Sequence, residues 1–567
     1  MFALTAVTLF TLTRVTLSSF SSGLPPFPAA GSGEAKGGAV ASMDARCSKA
    51  GLEILELGGN AADTAITVEF CLGVIGMYST GIGGGGMALV RDARGHYDFL
   101  DFRETAPAAS TENMLKDNVN ASLWGGLASG VPGEVRGLGL LYAKYASLPW
   151  SRLLAPAIGF ARDGFTVKQD LVTHIDHLDD AEELFTSPTW ALDFAPNGTR
   201  LGLDDVLKRS RYAATLQTIS DEGPDAFYSG PIAESMVKAV GAAGGIMTLD
   251  DLRDYQPVQR EAWAIDYGEY RIHGCGLPSG GVVALNILSV LKGYGGVGDA
   301  SNVKLTTHRL DEAMRFGYGL RTELGDPDFD MRLESYQQMM QSKSTTSAIR
   351  SLISDDHTQP LSVYNPKGLE VITTHGTSHL SVADSSGLAI SLTSTINLPF
   401  GSHLMDPETG IILNNEMNDF SIPKSTDIFG EKPSSANYPK PGKRPLSSMN
   451  PILVDFAANG TFYAALGAQG SERIITSVVQ ALWYLLDRKM GLLEALRAPR
   501  LHEQLSPNQT SYEWEYGNST VAFMEERGHI TAWLQDGSSV QAVRRLPNGT
   551  FEAAGEPRQR DSGGFAV

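Results

Sequence analysis

Thr373-Thr374-His375-Gly376-Thr377-Ser378-His379-Leu380-Ser381-Val382 is the point at which a polar stretch gives way to a strand. Leu380 and Val382 alternate with polar residues. After Asp384-Ser385-Ser386-Gly387 the alternation resumes at Leu388, Ile390 and Leu392. Apolar residues at period two on both sides of a turn-forming quartet predict a β-hairpin with one face on a core. Thr377 stands at its entry, directly behind a glycine. Residues 337–366, upstream of it, are polar and read as loop.

Moving outward, residues 50–77 read as two helical pieces broken at Gly58-Gly59-Asn60, the second too apolar for a surface helix. Gly81-Ile82-Gly83-Gly84-Gly85-Gly86 formally fits the dinucleotide pattern G-x-G-x-x-G. That pattern needs a strand before it and a helix after it, and here the order is reversed. Residues 87–91 and 96–101 predict a strand pair around Ala93-Arg94-Gly95. Residues 140–164 read as mostly helical, and 307–324 as an amphipathic helix stopped by Gly325-Asp326-Pro327. Residues 433–445 are rich in Pro, Ser and Lys and read as a surface loop able to act as a lid. Residues 471–488 predict a helix with Ile474, Ile475, Val478, Val479, Leu482 and Leu485 on one face. No G-K-S/T loop, H-E-x-x-H or G-x-S-x-G occurs, so the common ATPase, zinc-protease and serine-hydrolase signatures are absent.

The composition narrows the partners. A formal net charge of −19 over 567 residues argues against nucleic acid, which needs a basic surface. Cys47, Cys71 and Cys275 are the three cysteines; that is too few for a disulfide scaffold, and none forms a C-x-x-C pair. The simplest count is one disulfide and one free thiol. Asn-x-Ser/Thr sequons at Asn120, Asn197, Asn459, Asn508, Asn518 and Asn548 point to the secretory route and to glycosylation. The apolar run from Met1 to Leu12, ended by Arg14, is shorter than the ~20 residues of a membrane span. Residues 1–28 are therefore expected to be a signal peptide or short anchor with a linker, and the protein to be extracellular, secreted or held at the cell surface.

Thr377-Ser378-His379-Leu380-Ser381-Val382 is followed by Thr393-Ser394-Thr395-Ile396-Asn397, Asn414-Asn415-Glu416-Met417-Asn418-Asp419-Phe420, Pro445-Leu446-Ser447-Ser448-Met449 and Gly467-Ala468-Gln469-Gly470-Ser471. Together these resemble the small subunit of the γ-glutamyltranspeptidase family. Asn60-Ala61-Ala62-Asp63, the glycine run, Arg103-Glu104-Thr105-Ala106-Pro107 and Val131-Pro132-Gly133-Glu134 resemble its large subunit, in the same order. The resemblance runs from about Ala39 to the C-terminus.

It implies an α+β fold, a four-layer αββα sandwich of the N-terminal-nucleophile hydrolase type. Residues 29–376 would form the large subunit and 377–567 the small catalytic one, after self-cleavage between Gly376 and Thr377. The freed Thr377 would be nucleophile and, through its α-amine, base; the reference pKa of such an amine, about 7.7–8.0, suits that work. By the same resemblance Thr395 orients the nucleophile, and the backbone N–H groups of Gly470 and Ser471 form the oxyanion hole. Arg103 clamps the substrate α-carboxylate in a two-bond geometry closed to lysine, Ser447 and Ser448 hold the same carboxylate, and Asn397, Glu416 and Asp419 cage the α-ammonium. A Cys47–Cys71 disulfide fits the family's animal members. The implied activity is cleavage of γ-glutamyl amides of glutathione and its conjugates, with transfer to water, amino acids or dipeptides. No cofactor and no metal are expected: His273, His308 and His379 show no ligand spacing and read as structural.

The sequence departs from the family pattern at Ser471, where a second glycine is usual, at Asn418, where Asp is common, and at Tyr78-Ser79-Thr80 before the glycine run. Singly, the residues have plainer readings: Thr395 suits any strand, Glu416 and Asp419 any solvated loop, Ser447-Ser448 any turn, and Arg103 a surface pair with Glu104. Their order as a set favours the enzyme. Two alternatives accompany it. One is an amidase or acylase on the same fold, which would have no use for the amino-acid clamp. The other is a weak or inactive secreted homologue acting as a binding or venom-like protein, suggested by Ser471 and Asn418.

Overall fold

The computed structural model describes residues 36–371, 376–423, 430–534 and 537–567. The expected leader, residues 1–28, and Thr373–His375 of the opening motif lie outside these.

The hairpin at Thr377 forms as expected, with strands Ser378–Asp384 and Ala389–Thr395 closed by a turn in which Gly387 takes φ 89°. It sits in the middle of a seven-stranded sheet. The order is Gly563–Ala566, Gly38–Ser42, Ser378–Asp384, Ala389–Thr395, Gly85–Arg91, Tyr97–Phe102 and Val258–Arg260. A second, six-stranded sheet runs Phe551–Ala554, Ser539–Arg545, Phe462–Gln469, Ile452–Phe456, Tyr270–Gly274 and Trp263–Tyr267. Every strand pair in both sheets is antiparallel.

The two sheets stack face to face, and helices cover both outer faces. Leu380, Val382, Ile390 and Leu392 point into the helix-covered core with residues of Ala61–Ile75, such as Ala65, Val68 and Leu72. Helices Gly281–Leu291 and Arg473–Leu482 cover the other sheet. The polar side of the hairpin is buried too, because it faces the second sheet rather than water. Ser391 Oγ donates to Leu466 O at 2.9 Å, and His379 bridges Thr393 and Ser381 through its two ring nitrogens. A Cβ on Gly467 would lie 2.3 Å from that ring, so glycine makes room for it. Burial drives the His379 pKa down to about 3, which keeps it a neutral packing group.

Helices Ala45–Glu56 and Ala61–Ile75 reproduce the expected pair. Asn60 caps the second in a capping box with Asp63, and all fifteen residues of that helix are buried. Cys47 and Cys71 join them in a disulfide, and Cys275 is a free, buried thiol. The bridge closes a separation of 24 residues, so replacing both cysteines by alanine is expected to lower unfolding stability by about 3 kcal/mol in a denaturant titration.

Four expectations need correction. Residues 337–366 are not loop: helices Arg332–Gln341, Lys343–Leu352 and Leu361–Tyr364 occupy this region, anchored by few apolar groups, Leu333, Met340 and Ile349. The helix over 307–324 spans Val303–Arg321 and is buried on nearly all sides, its polar residues being paired inside the protein instead of facing water. Residues 433–445 are pinned down in part: Arg444 donates to Gln256 O, and Asn437 bonds both Asp419 O and Leu446 N. The helix expected over 471–488 starts at Arg473 and widens to π-type turns over Trp483–Asp487. Among the described residues, no helix is long and apolar enough to cross a membrane.

Candidate active site

Register places the two threonines. Ser378 pairs with Ser394, so one further step sets Thr377 opposite Thr395 at the open end of the hairpin. Thr395 also pairs with Gly85, at the end of the glycine run. That run is a packing device: a Cβ on Gly84 would lie 2.0 Å from Thr395 O, and one on Gly83 2.0 Å from Ile412 O. Asn414 seals the contact by donating to Gly83 O and Gly130 O. No phosphate-binding role follows from these glycines.

Gly376 takes φ 66° and lies against Asn397, where any Cβ would stand 1.7 Å from the Asn397 carbonyl oxygen. Only glycine fits both demands. The Thr377 hydroxyl consequently lies against the Gly376 carbonyl, to which it donates. Thr395 Oγ1 accepts the Asn397 N–H at 2.7 Å, which fixes the strand end beside Thr377.

Arg103 lies just past the strand Tyr97–Phe102 and is fully buried. Its two terminal nitrogens donate to Glu416 Oε1 and, at 2.5 Å, to Asp419 Oδ2, while Nε donates to Pro445 O. The short helix Glu416–Asp419 presents both carboxylates. Asn397 Nδ2 donates to Asn415 O beside them. Ser447 Oγ accepts the Met449 N–H, and Ser448 Oγ accepts from Arg321 at 3.1 Å. Arg103, Gly376, Thr377, Thr395, Asn397, Glu416, Asp419, Ser447 and Ser448 line one cavity, joined by Met449 and Ile474.

The charges in this cavity are unbalanced. Two buried guanidiniums, Arg103 and, at Ser448, Arg321, accompany three buried carboxyl groups, Glu104, Glu416 and Asp419. Burial pushes Glu416 well above the usual carboxylate range and Glu104 up to about 7, with Arg103 opposing both shifts. A further cation would let these acids ionise. An ammonium ion entering the cavity would supply it, and Arg103 with the serine hydroxyls offers donors to a carboxylate.

Gly470 and Ser471 are not among the residues lining this cavity. They form the turn between strand Phe462–Gln469 and helix Arg473–Leu482, from which Ile474 reaches the cavity. Ser471 takes φ 67°, a region that favours glycine. Ser471→Gly is therefore expected to gain about 1 kcal/mol in stability and to keep kcat/KM within a few-fold, by thermal melting and steady-state assay. Asn418 turns away from the cavity and donates to Ser122 Oγ at 2.7 Å. Three contributors escaped the sequence reading. Met449 and Ile474 are ordinary apolar residues, and Arg321 ends a helix 127 positions before its partner Ser448. Met449 closes the motif that begins at Pro445 and Ile474 lies on a helix's apolar face, but neither pattern marks a residue that lines a cavity, and nothing local marks Arg321. All six sequon asparagines stand at exposed positions.

The chain matches the family model described as gamma-glutamyltranspeptidase over residues 47–566. It is 49% identical over 542 residues to a glutathione hydrolase proenzyme of Arthroderma benhamiae, covering 94% of this chain and 93% of the relative. The crystal structure of a cephalosporin acylase from Bacillus halodurans superposes with TM-score 0.82 at 25% identity, covering 98% of this chain and 99% of the other. That of Helicobacter pylori gamma-glutamyltranspeptidase gives TM-score 0.53 at 31% identity, over 56% of this chain and 92% of the other.

Proposed function

This chain belongs to the γ-glutamyltranspeptidase family, and from that premise we propose that it cuts itself between Gly376 and Thr377 and then uses Thr377 to cleave γ-glutamyl amides. It is a glutathione-cleaving γ-glutamyl hydrolase and transferase with an αββα N-terminal-nucleophile fold. The observation that carries the reading is a threonine hydroxyl held between its own upstream carbonyl and a cavity that brings together a guanidinium, two carboxyl groups and two serine hydroxyls.

In processing, Thr377 Oγ attacks the Gly376 carbonyl carbon, the peptide C–N bond breaks, and the α-amine keeps a proton from the hydroxyl. Water then opens the Gly376 ester. In catalysis the freed α-amine takes the Thr377 hydroxyl proton as Oγ attacks the γ-carbonyl. The proton passes to the leaving amine, and the γ-glutamyl ester is resolved by water or by the amine of an amino acid or dipeptide. Arg103, Ser447 and Ser448 hold the α-carboxylate; Asn397, Glu416 and Asp419 hold the α-ammonium; Thr395 orients the nucleophile. Gly470 and Ser471 supply oxyanion N–H groups from the turn before the helix, where free N–H groups favour negative charge.

An extracellular location, with glycans on the six sequons, is part of the same proposal. It is supported by their exposure and by the Cys47–Cys71 bridge. The inactive-homologue alternative has nothing in its favour: Asn418 faces Ser122 rather than the cavity, and Ser471 keeps its backbone N–H. The acylase alternative is tested by comparing a γ-glutamyl anilide with a glutaryl anilide, which lacks the α-amine. Release from the first at least about 100-fold faster is expected, since the second brings no ammonium to the acidic groups Glu416 and Asp419. Equal rates would contradict the proposal.

A further inference from the structure

We infer that His308, Glu312 and His529 form a binding site for one divalent metal ion of the zinc class, outside the catalytic cavity. His308 and Glu312 lie one turn apart on helix Val303–Arg321 and so share a face. His529 arrives 221 positions later in the chain, after helix Asn518–Glu525. All three are buried.

The outer bonds decide what the inner atoms must do. His308 Nε2 lies 2.7 Å from Ser354 O, and a carbonyl only accepts, so this nitrogen carries a proton. His529 Nδ1 lies 3.0 Å from Asp311 Oδ2, an ion-pair contact that leaves its Nε2 turned towards His308. The remaining nitrogens, His308 Nδ1 and His529 Nε2, face each other at 2.8 Å. With its Nε2–H given to Ser354 O, His308 turns the Nδ1 lone pair to His529 Nε2, so a positive centre belongs between them. Glu312 Oε1 stands 3.9 Å from His529 Nε2, and the ligand atoms of the trio all lie within 4.8 Å of one another. Thr358 and Tyr364 hydroxyls hold the Glu312 carboxylate at 2.7 Å each. Each ligand thus has the outer partner that orients metal ligands generally.

The surroundings of the trio are acidic and the donors converge. Asp311 and Glu312 are two buried carboxylates, and the neighbouring cation, Arg315, is bonded to Glu503 at 3.1 Å. A divalent ion held by the trio would lie beside both of these carboxyl groups. Two imidazoles and a carboxylate suit zinc. Metal–ligand bonds of about 2.0–2.1 Å in tetrahedral geometry need the two nitrogens to part by roughly 0.5 Å.

The ligands come from both sides of the Gly376–Thr377 bond. No cysteine follows Cys275, so no disulfide can join the two pieces after cleavage. The ion would join them by coordination, on the helix whose far end places Arg321 against Ser448.

The test uses the full protein, stripped with a chelator and given zinc ion. Expected are one zinc retained per chain through gel filtration and a higher melting temperature. X-ray absorption at the zinc edge should show two imidazole nitrogens and one carboxylate. His529→Asn and Glu312→Gln should each weaken zinc binding by on the order of 100-fold. Stripped wild-type protein that retains no zinc at micromolar concentration overturns the inference, as does equal binding by both variants. Should the variants not fold, the wild-type absorption spectrum decides: a first shell without two imidazoles contradicts the site. These readouts are independent of glutamyl transfer.

Discussion

Thr377→Ala is expected to yield a single uncut chain with kcat/KM for a γ-glutamyl donor reduced at least about 10⁴-fold, whereas Thr377→Ser both cuts and works. The hydroxyl lies against the Gly376 carbonyl because Gly376, at φ 66° and pressed on Asn397, turns that carbonyl toward it. Alanine keeps this geometry and removes the attacking atom, so both processing and turnover stop. Serine keeps the oxygen and loses the methyl that restricts χ1, so cutting slows without failing. A denaturing gel and a steady-state assay on the same preparations read the two effects together. An uncut Thr377→Ala protein that retains near-normal turnover would separate processing from catalysis and remove Thr377 from the second.

Arg103→Lys is expected to leave processing intact and to lower kcat/KM about 5- to 150-fold (~1–3 kcal/mol). The guanidinium reaches Glu416, Asp419 and Pro445 O with three different nitrogens. Lysine keeps the charge that three buried carboxyls require, so the fold survives, but its single ammonium cannot offer two parallel bonds to a carboxylate. Processing is spared because the scissile bond is held by Gly376, Asn397 and the hairpin. Arg103→Met is the wrong probe: it strands those acids without a cation, at a stability cost of about 3–5 kcal/mol. An Arg103→Lys protein that fails to cut, or that turns over normally, would show that Arg103 has another role.

Much of this site is legible in the sequence because local pattern and chemistry coincide there. Alternation around Asp384-Ser385-Ser386-Gly387 marks the hairpin, and the hairpin register alone sets Thr377 beside Thr395. Asn60 before an apolar run marks a capped, buried helix. What stays hidden depends on distant parts of the chain. The polar residues of Val303–Arg321 suggest a surface face, yet they are paired inside: Asp311 meets His529, Arg315 meets Glu503 and Arg321 meets Ser448. Residues 337–366 read as loop because their helices hold on by one or two apolar contacts each, too few for a periodic signal. The backbone of Ser471 also stays out of reach, since nothing next to it announces a φ of 67°.

The most direct measurement is N-terminal sequencing, with a denaturing gel, of the purified wild-type protein alongside its activity on a γ-glutamyl anilide. Two bands of about 40 and 20 kDa are expected, the shares of the 60.7 kDa chain on either side of the bond before any glycan, held together without a disulfide. The smaller should read Thr-Ser-His-Leu-Ser-Val, beginning at Thr377. A single full-length chain that still releases glutamate would contradict Thr377 as the nucleophile.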